Sequence, residues 1–163
     1  MNDVRLRTAT RDDDDAIWAM LEPVIRGGET YALPRDMPRA AALEYWFLPG
    51  HSVQLAEAGG EILGTYYLCA NQKGGGAHVC NCGYVTAAEA QGRGIARAML
   101  ADSLTRAKDA GFRAMQYNFV ISTNNRAIDT WCRAGFEIVG RLPGAFQHPR
   151  DGYVDALVMF RPL

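Results

Sequence analysis

The chain has 163 residues, 48% hydrophobic and 21% charged, with a formal net charge of −1. That length predicts one domain over residues 1–163 with a real core. A charge so near neutral gives no electrostatic case for nucleic acid or an anionic membrane surface, and no apolar run approaches the ~20 residues that span a bilayer.

The start, Met1-Asn2-Asp3-Val4-Arg5-Leu6-Arg7, lacks the apolar stretch of a signal peptide, which predicts a cytoplasmic location. Cys69, Cys80, Cys82 and Cys132 are then expected as reduced thiols. Cys80 and Cys82 share one face of a strand-like run without a second ligand pair, so no metal site is expected. Val4, Leu6 and Thr8 alternate with Arg5 and Arg7, as in a first strand. Thr10 or Asp12 can cap a helix carrying Ile17, Met20, Leu21 and Val24 on one face, with Asp12 to Asp15 as a solvated first turn. Pro23 is expected to kink or shorten this helix, and Gly27-Gly28 ends it. A second short helix starts at Asp36 or Met37-Pro38, runs through Leu43 and Trp46, and stops at Pro49-Gly50.

Ser52 to Glu57 and Ile62 to Cys69 read as a hairpin turning at Gly59-Gly60. Gly74-Gly75-Gly76 marks a turn before a strand over His78 to Thr86. A helix follows from about Gly94 to Ala110, with Ile95, Met99, Leu100 and Leu104 on its apolar side. Ala114 to Val120 is the next strand, Asn124 or Asn125 caps a further helix, and Gly135 stops it. Phe136 to Leu142 and Val154 to Arg161 are expected as two last strands around a loop rich in Pro and Gly. The order β-α-α-β-β-β-α-β-α-β-β predicts an α/β (α+β) fold: a mixed, mostly antiparallel sheet of about seven strands with about four helices on its faces.

The stretch from Thr86 to Arg97 joins a strand to a helix start, where free N–H groups and the helix dipole suit a pyrophosphate. Gly92 and Gly94 allow close backbone approach, Ala96 is small, and Arg93 or Arg97 can add charge. A plain connecting turn is the competing reading. The spacing fits neither a P-loop nor a dinucleotide fingerprint.

Gln91-x-x-Gly94-x-Ala96, followed about thirty residues on by Asn124-Asn125-Arg126-Ala127-Ile128-Asp129-Thr130-Trp131-Cys132-Arg133-Ala134-Gly135-Phe136, resembles the two motifs of the GNAT superfamily of N-acetyltransferases. The resemblance implies acetyl-CoA as co-substrate and a V-shaped splay between the strand ending at Thr86 and the one over Tyr117 to Ile121. Pantetheine would pair with the backbone of Tyr84, Val85 and Thr86 like an added strand. The pyrophosphate would rest on Gly92, Arg93, Gly94, Ile95, Ala96 and Arg97. Asn124 would meet the cofactor, cap its helix, or do both. The Val85 N–H would meet the thioester oxygen. A possible homodimer is a further family habit.

Two positions depart from the family pattern. Trp131 stands where a tyrosine is usual as general acid, and Asn81 where many relatives carry a glutamate base. With Tyr117, Asn118 and the ending Gly152-Tyr153-Val154-Asp155-Ala156, they make the chain similar to the yeast-type acetyltransferases of the proline analogue azetidine-2-carboxylate. By that resemblance Asn81 and Asn118 hold the substrate carboxylate and orient the attack. The alternative is that both are amides stitching the splayed strands. Glu29 and Tyr31, in the loop after the first helix, can also touch substrate. His51 and His148 are expected at the surface, and His78 has no expected role beyond the strand end. The expected activity is direct transfer to a small amino-acid-like amine in a ternary complex. A peptide or protein amino terminus as acceptor, and a non-catalytic acyl-CoA-binding module, are the alternatives.

Overall fold

The computed structural model describes residues 4–163; Met1, Asn2 and Asp3, which open the polar start, lie outside the described residues. Strand β1 (Arg5–Thr8) leads through a single 3-10 turn into helix α1 (Asp14–Gly27), and α2 (Arg39–Trp46) follows. The hairpin β2 (Ser52–Ala58) and β3 (Glu61–Ala70) precedes β4 (Val79–Thr86), α3 (Ile95–Asp109) and β5 (Ala114–Ile121). Helix α4 (Asn125–Arg133) and the hairpin β6 (Glu137–His148) and β7 (Gly152–Pro162) complete the order. Among the described residues, one sheet of seven strands, in the order β1-β2-β3-β4-β5-β7-β6, takes in every strand. All neighbours are antiparallel except β4 and β5. The expected mixed sheet with four helices is the one observed. Among the described residues, no helix is long and apolar enough to cross a membrane.

The first turn is fixed by charge. The Thr10 amide donates to Asp13 at 2.8 Å, and Arg7 donates to both Asp13 oxygens at 2.8 and 2.9 Å. The Arg7 guanidinium holds the Asp13 carboxyl below the usual carboxylate range. Pro23 neither breaks nor shortens α1, which runs on to Gly27 and closes on Gly28 at φ 66°. Under the sheet, the Trp46 indole donates to Thr65 Oγ1, which donates on to the Gln54 carbonyl, both at 3.0 Å. These buried groups are therefore satisfied.

Two glycines set how closely the layers approach. A Cβ on Gly64 of β3 would lie 2.8 Å from Ile95 Cγ2 and Met99 Sδ, so the absent side chain lets α3 lie tight on the sheet. A Cβ on Gly83 of β4 would lie 2.5 Å from Tyr67 Cε1, so the Tyr67 ring rests on bare backbone.

The last hairpin differs from the sequence expectation. β6 extends to His148, and the Pro-Gly segment is a bulge within it rather than a loop. Register shifts between Leu142 and Phe146 absorb Pro143-Gly144-Ala145, and Gly144 adopts φ 56°. Asp155 clamps the bulge, accepting from the Gly144 amide at 2.9 Å and from Arg141 at 2.7 Å. His148 is 4% exposed, not at the surface, because its Nδ1 accepts the Arg150 and Asp151 amides that close the turn. His51 is half-buried and stacks on Tyr67 with centroids 4.1 Å apart.

Candidate active site

β4 and β5 run parallel but pair only at Val79 with Ala114 and Cys80 with Met115. One residue on, Asn81 Nδ2 donates across the gap to the Gln116 carbonyl at 2.8 Å. Beyond it a cleft of about 940 Å³ opens between the strands. The rings of Tyr84, Tyr117 and Trp131 cluster at the cleft, with centroids 5.1 to 6.0 Å apart, and Phe136 stacks behind Tyr117 at 4.5 Å.

The register decides which peptide groups face this gap. Asn71 N–H donates to the Val79 carbonyl and Ala87 N–H to the Leu63 carbonyl, which bracket the unbroken β3–β4 ladder. In such a ladder alternate pairs are bonded, so Asn81, Gly83 and Val85 direct their peptide groups to β3. Cys82, Tyr84 and Thr86 direct theirs into the splay. The Val85 N–H, expected to meet a thioester oxygen, therefore points at β3, and the neighbouring amides that face the gap are those of Tyr84 and Thr86. The Tyr84 carbonyl confirms the direction, since it accepts the Tyr31 hydroxyl at 3.0 Å.

At the end of β4, Ala88–Ala90 form a 3-10 turn, and Gly92 and Gly94 take φ of 81° and 82°. Those left-handed dihedrals are where glycine is needed. Arg93 N–H turns inward to the Ala90 carbonyl at 3.2 Å. Among the described residues, the amides of Gly92, Gly94, Ile95, Ala96 and Arg97 meet no acceptor, and the first bond of α3 is Ala98 N–H to the Gly94 carbonyl. Five unpartnered donors, three of them in the first turn of α3, thus belong to residues that line one end of the cleft. Among the described residues, Arg97, Arg126 and Arg133 line the cleft and no carboxylate does, and Arg126 reaches Gln91 Oε1 at 3.1 Å. This end can hold an anion.

Most of the expected residues come together here. Asn81, Asn118, Tyr31, Tyr84, Val85, Thr86, Gly92, Gly94, Ile95, Ala96, Arg97 and Asn124 all line the cleft. Arg93 and Glu29 do not; Glu29 pairs instead with Arg150 at the tip of the last hairpin. Asn124 caps α4 through Oδ1, which accepts the Ala127 amide at 3.4 Å. Asn118 donates to Asn71 Oδ1 at 2.6 Å and accepts from Gln116 at 2.9 Å. Asn81 does stitch the strands, yet its Oδ1 has no partner among the described residues.

The wall on the α1–α2 side was not legible as a whole. Tyr45 and Tyr67 join Tyr31 and Leu33 there, and the Tyr45 and Tyr67 hydroxyls lie 3.4 Å apart. Tyr67 could have been found only through its register opposite Gly83. Arg126 lay inside the second motif without a role. Cys80 and Cys82 are buried, and burial pushes the Cys80 thiol up to about 12. Among the described residues, no group of three or more His, Cys, Asp or Glu side chains could hold a metal ion.

A sequence model of the acetyltransferase (GNAT) family matches residues 18–136. The chain belongs to that family. As a member it is an N-acetyltransferase, an acyltransferase dependent on acetyl-CoA. This GNAT chain is 29% identical over 151 residues to the N-acetyltransferase aca1 of Schizosaccharomyces pombe, covering 82% of the chain and 72% of that relative. Among solved structures it is similar to a GCN5-related N-acetyltransferase from Kribbella flavida, with a TM-score of 0.94, 36% identity and 98% of each chain covered. A phosphinothricin acetyltransferase from Sinorhizobium meliloti, in complex with acetyl-CoA, shares the fold at a TM-score of 0.86 and 22% identity, over 98% of this chain and 88% of its own.

Proposed function

We propose that the enzyme moves the acetyl group of acetyl-CoA directly onto the amine of a small, amino-acid-like acceptor, within a ternary complex. The observation that carries this is the meeting, in one cleft, of five unpartnered amides with an unpaired stretch of β4 edge. The amides of Gly92 and of Gly94 to Arg97 would hold the diphosphate, with Arg97 and Arg126 adding charge. Pantetheine would lie along Tyr84 and Thr86 as an added strand. The Tyr84 N–H would then take the oxyanion role first expected of Val85, because it faces the gap and its neighbour does not.

The acceptor would enter from the α1–α2 side, past Tyr31, Tyr45 and Tyr67. Asn81 Oδ1, which has no partner among the described residues, would accept from the attacking amine, and Asn118 would donate to a substrate carboxylate. This orients the attack without a charged base. Cys82 is the cysteine that lines the cleft, and burial raises its thiol far above the usual range. A covalent cysteine intermediate is accordingly disfavoured. The likeness to azetidine-2-carboxylate acetyltransferases supports cyclic imino acids as the first acceptors to try.

The test is release of free coenzyme A thiol with a panel of amines that includes proline analogues and short peptides. Turnover with the small imino acids and not the peptides is expected. Binding of acetyl-CoA without turnover on any amine would overturn the reading.

A further inference from the structure

Trp131 replaces the family's usual proton donor, and an indole N–H does not ionise at working pH. Of the four other tyrosines at the cleft, Tyr45 and Tyr67 set their hydroxyls against each other at 3.4 Å, and the protons of Tyr84 and Tyr117 are engaged elsewhere. Ser103 Oγ donates to the Leu100 carbonyl at 2.8 Å, so it accepts from the Tyr84 hydroxyl at 2.8 Å. Tyr84 in turn accepts from Tyr117 at 3.0 Å. The chain Tyr117 to Tyr84 to Ser103 ends on main chain inside the fold.

Tyr31 differs from all four. It comes from the α1–α2 loop, packs edge-on against Trp46 at 6.3 Å, and holds its hydroxyl 3.0 Å from the Tyr84 carbonyl. That carbonyl is on the same strand edge as the Tyr84 N–H, and both face the splay. An added strand docking on β4 would bring an N–H donor to this carbonyl and release the Tyr31 proton beside the reacting carbon.

Resting on the direct-transfer reading, we infer that the Tyr31 hydroxyl carries the proton from the attacking amine to the departing sulfur. The amine lone pair forms the new C–N bond, and the C–S bond breaks with its electron pair on sulfur. The phenol O–H proton moves to that sulfur while the N–H proton moves to the phenol oxygen. Tyr31 ends as it began, with one proton passed from nitrogen to sulfur. Burial raises the Tyr31 pKa above its ordinary value, which keeps the hydroxyl protonated through the working range and favours a concerted exchange over a free phenolate.

The experiment compares wild type, Tyr31→Phe and Tyr31→His in steady-state acetyl transfer over pH 6–9, with acetyl-CoA calorimetry on each. A positioned proton carrier contributes about 10²- to 10⁴-fold, so Tyr31→Phe is expected to lower kcat about 100-fold or more with acetyl-CoA affinity unchanged. Tyr31→His is expected to recover part of the loss and to add a limb to the pH profile in the imidazole range. Loss of acetyl-CoA binding, a change confined to KM, or no recovery by histidine would each overturn the role in favour of packing. Failure of wild type itself to turn over any amine would instead strike the transfer reading.

Discussion

The two walls of the cleft are built from different materials. The α3 side offers main chain, with free amides at Gly92 and Gly94 to Arg97 beside two left-handed glycines and guanidinium groups. The α1–α2 side offers side chains, with tyrosine hydroxyls and amides drawn from segments far apart in sequence. A wall of backbone tolerates change in most side chains but not in its dihedrals. A wall of side chains tolerates neither the loss of a ring nor a methyl group placed beneath one.

The hardest break falls on the backbone wall. Gly94→Val forces a β-branched residue into the left-handed region, at a cost of about 1–3 kcal/mol, and moves the cradle. Acetyl-CoA affinity is expected to fall roughly 10- to 100-fold by calorimetry. On the other wall, Gly83→Ala sets a methyl against Tyr67 Cε1. The ring must shift, so KM for the acceptor is expected to rise about tenfold while acetyl-CoA binding stays the same.

A third variant sharpens the comparison by leaving both walls alone. The Asp13 pKa is lowered in the fold by Arg7, so the stability this pair gives is complete above the unfolded carboxylate value. It is lost as pH falls through the folded value. Thermal melts of wild type should therefore drop as pH falls below about 5. Asp13→Asn should be about 1–2 kcal/mol less stable at pH 7, with a flatter acid limb and unchanged acetyl-CoA affinity. The smallest effect is expected of Arg126→Ala. Its guanidinium sits at the exposed mouth, so affinity should fall only about two- to fivefold, with a shallower salt dependence.

The difference between the walls also explains what could be read in advance. Gln91-x-x-Gly94-x-Ala96 is local: a strand end, two glycines and a helix start make a cradle from one run of chain. Its geometry follows from the dihedrals those residues permit. The element order was legible for the same reason, since alternation and helical period are local signals. The α1–α2 wall is not local. Tyr67 matters because register sets it over Gly83, and Tyr31 because a loop carries it across to β4. The direction of the Val85 amide is non-local too, because only strand pairing shows that odd residues of β4 turn their peptide groups to β3. Pro143 and Gly144 read as a loop because a bulge held by Asp155 leaves no trace in composition.

A crystal structure of the complex with coenzyme A tests the central claim most directly. The diphosphate is expected within hydrogen-bond reach of the amides of Gly92, Gly94, Ile95, Ala96 and Arg97, with pantetheine along Tyr84 and Thr86. A diphosphate seated elsewhere, with those five amides still facing water, would contradict the account.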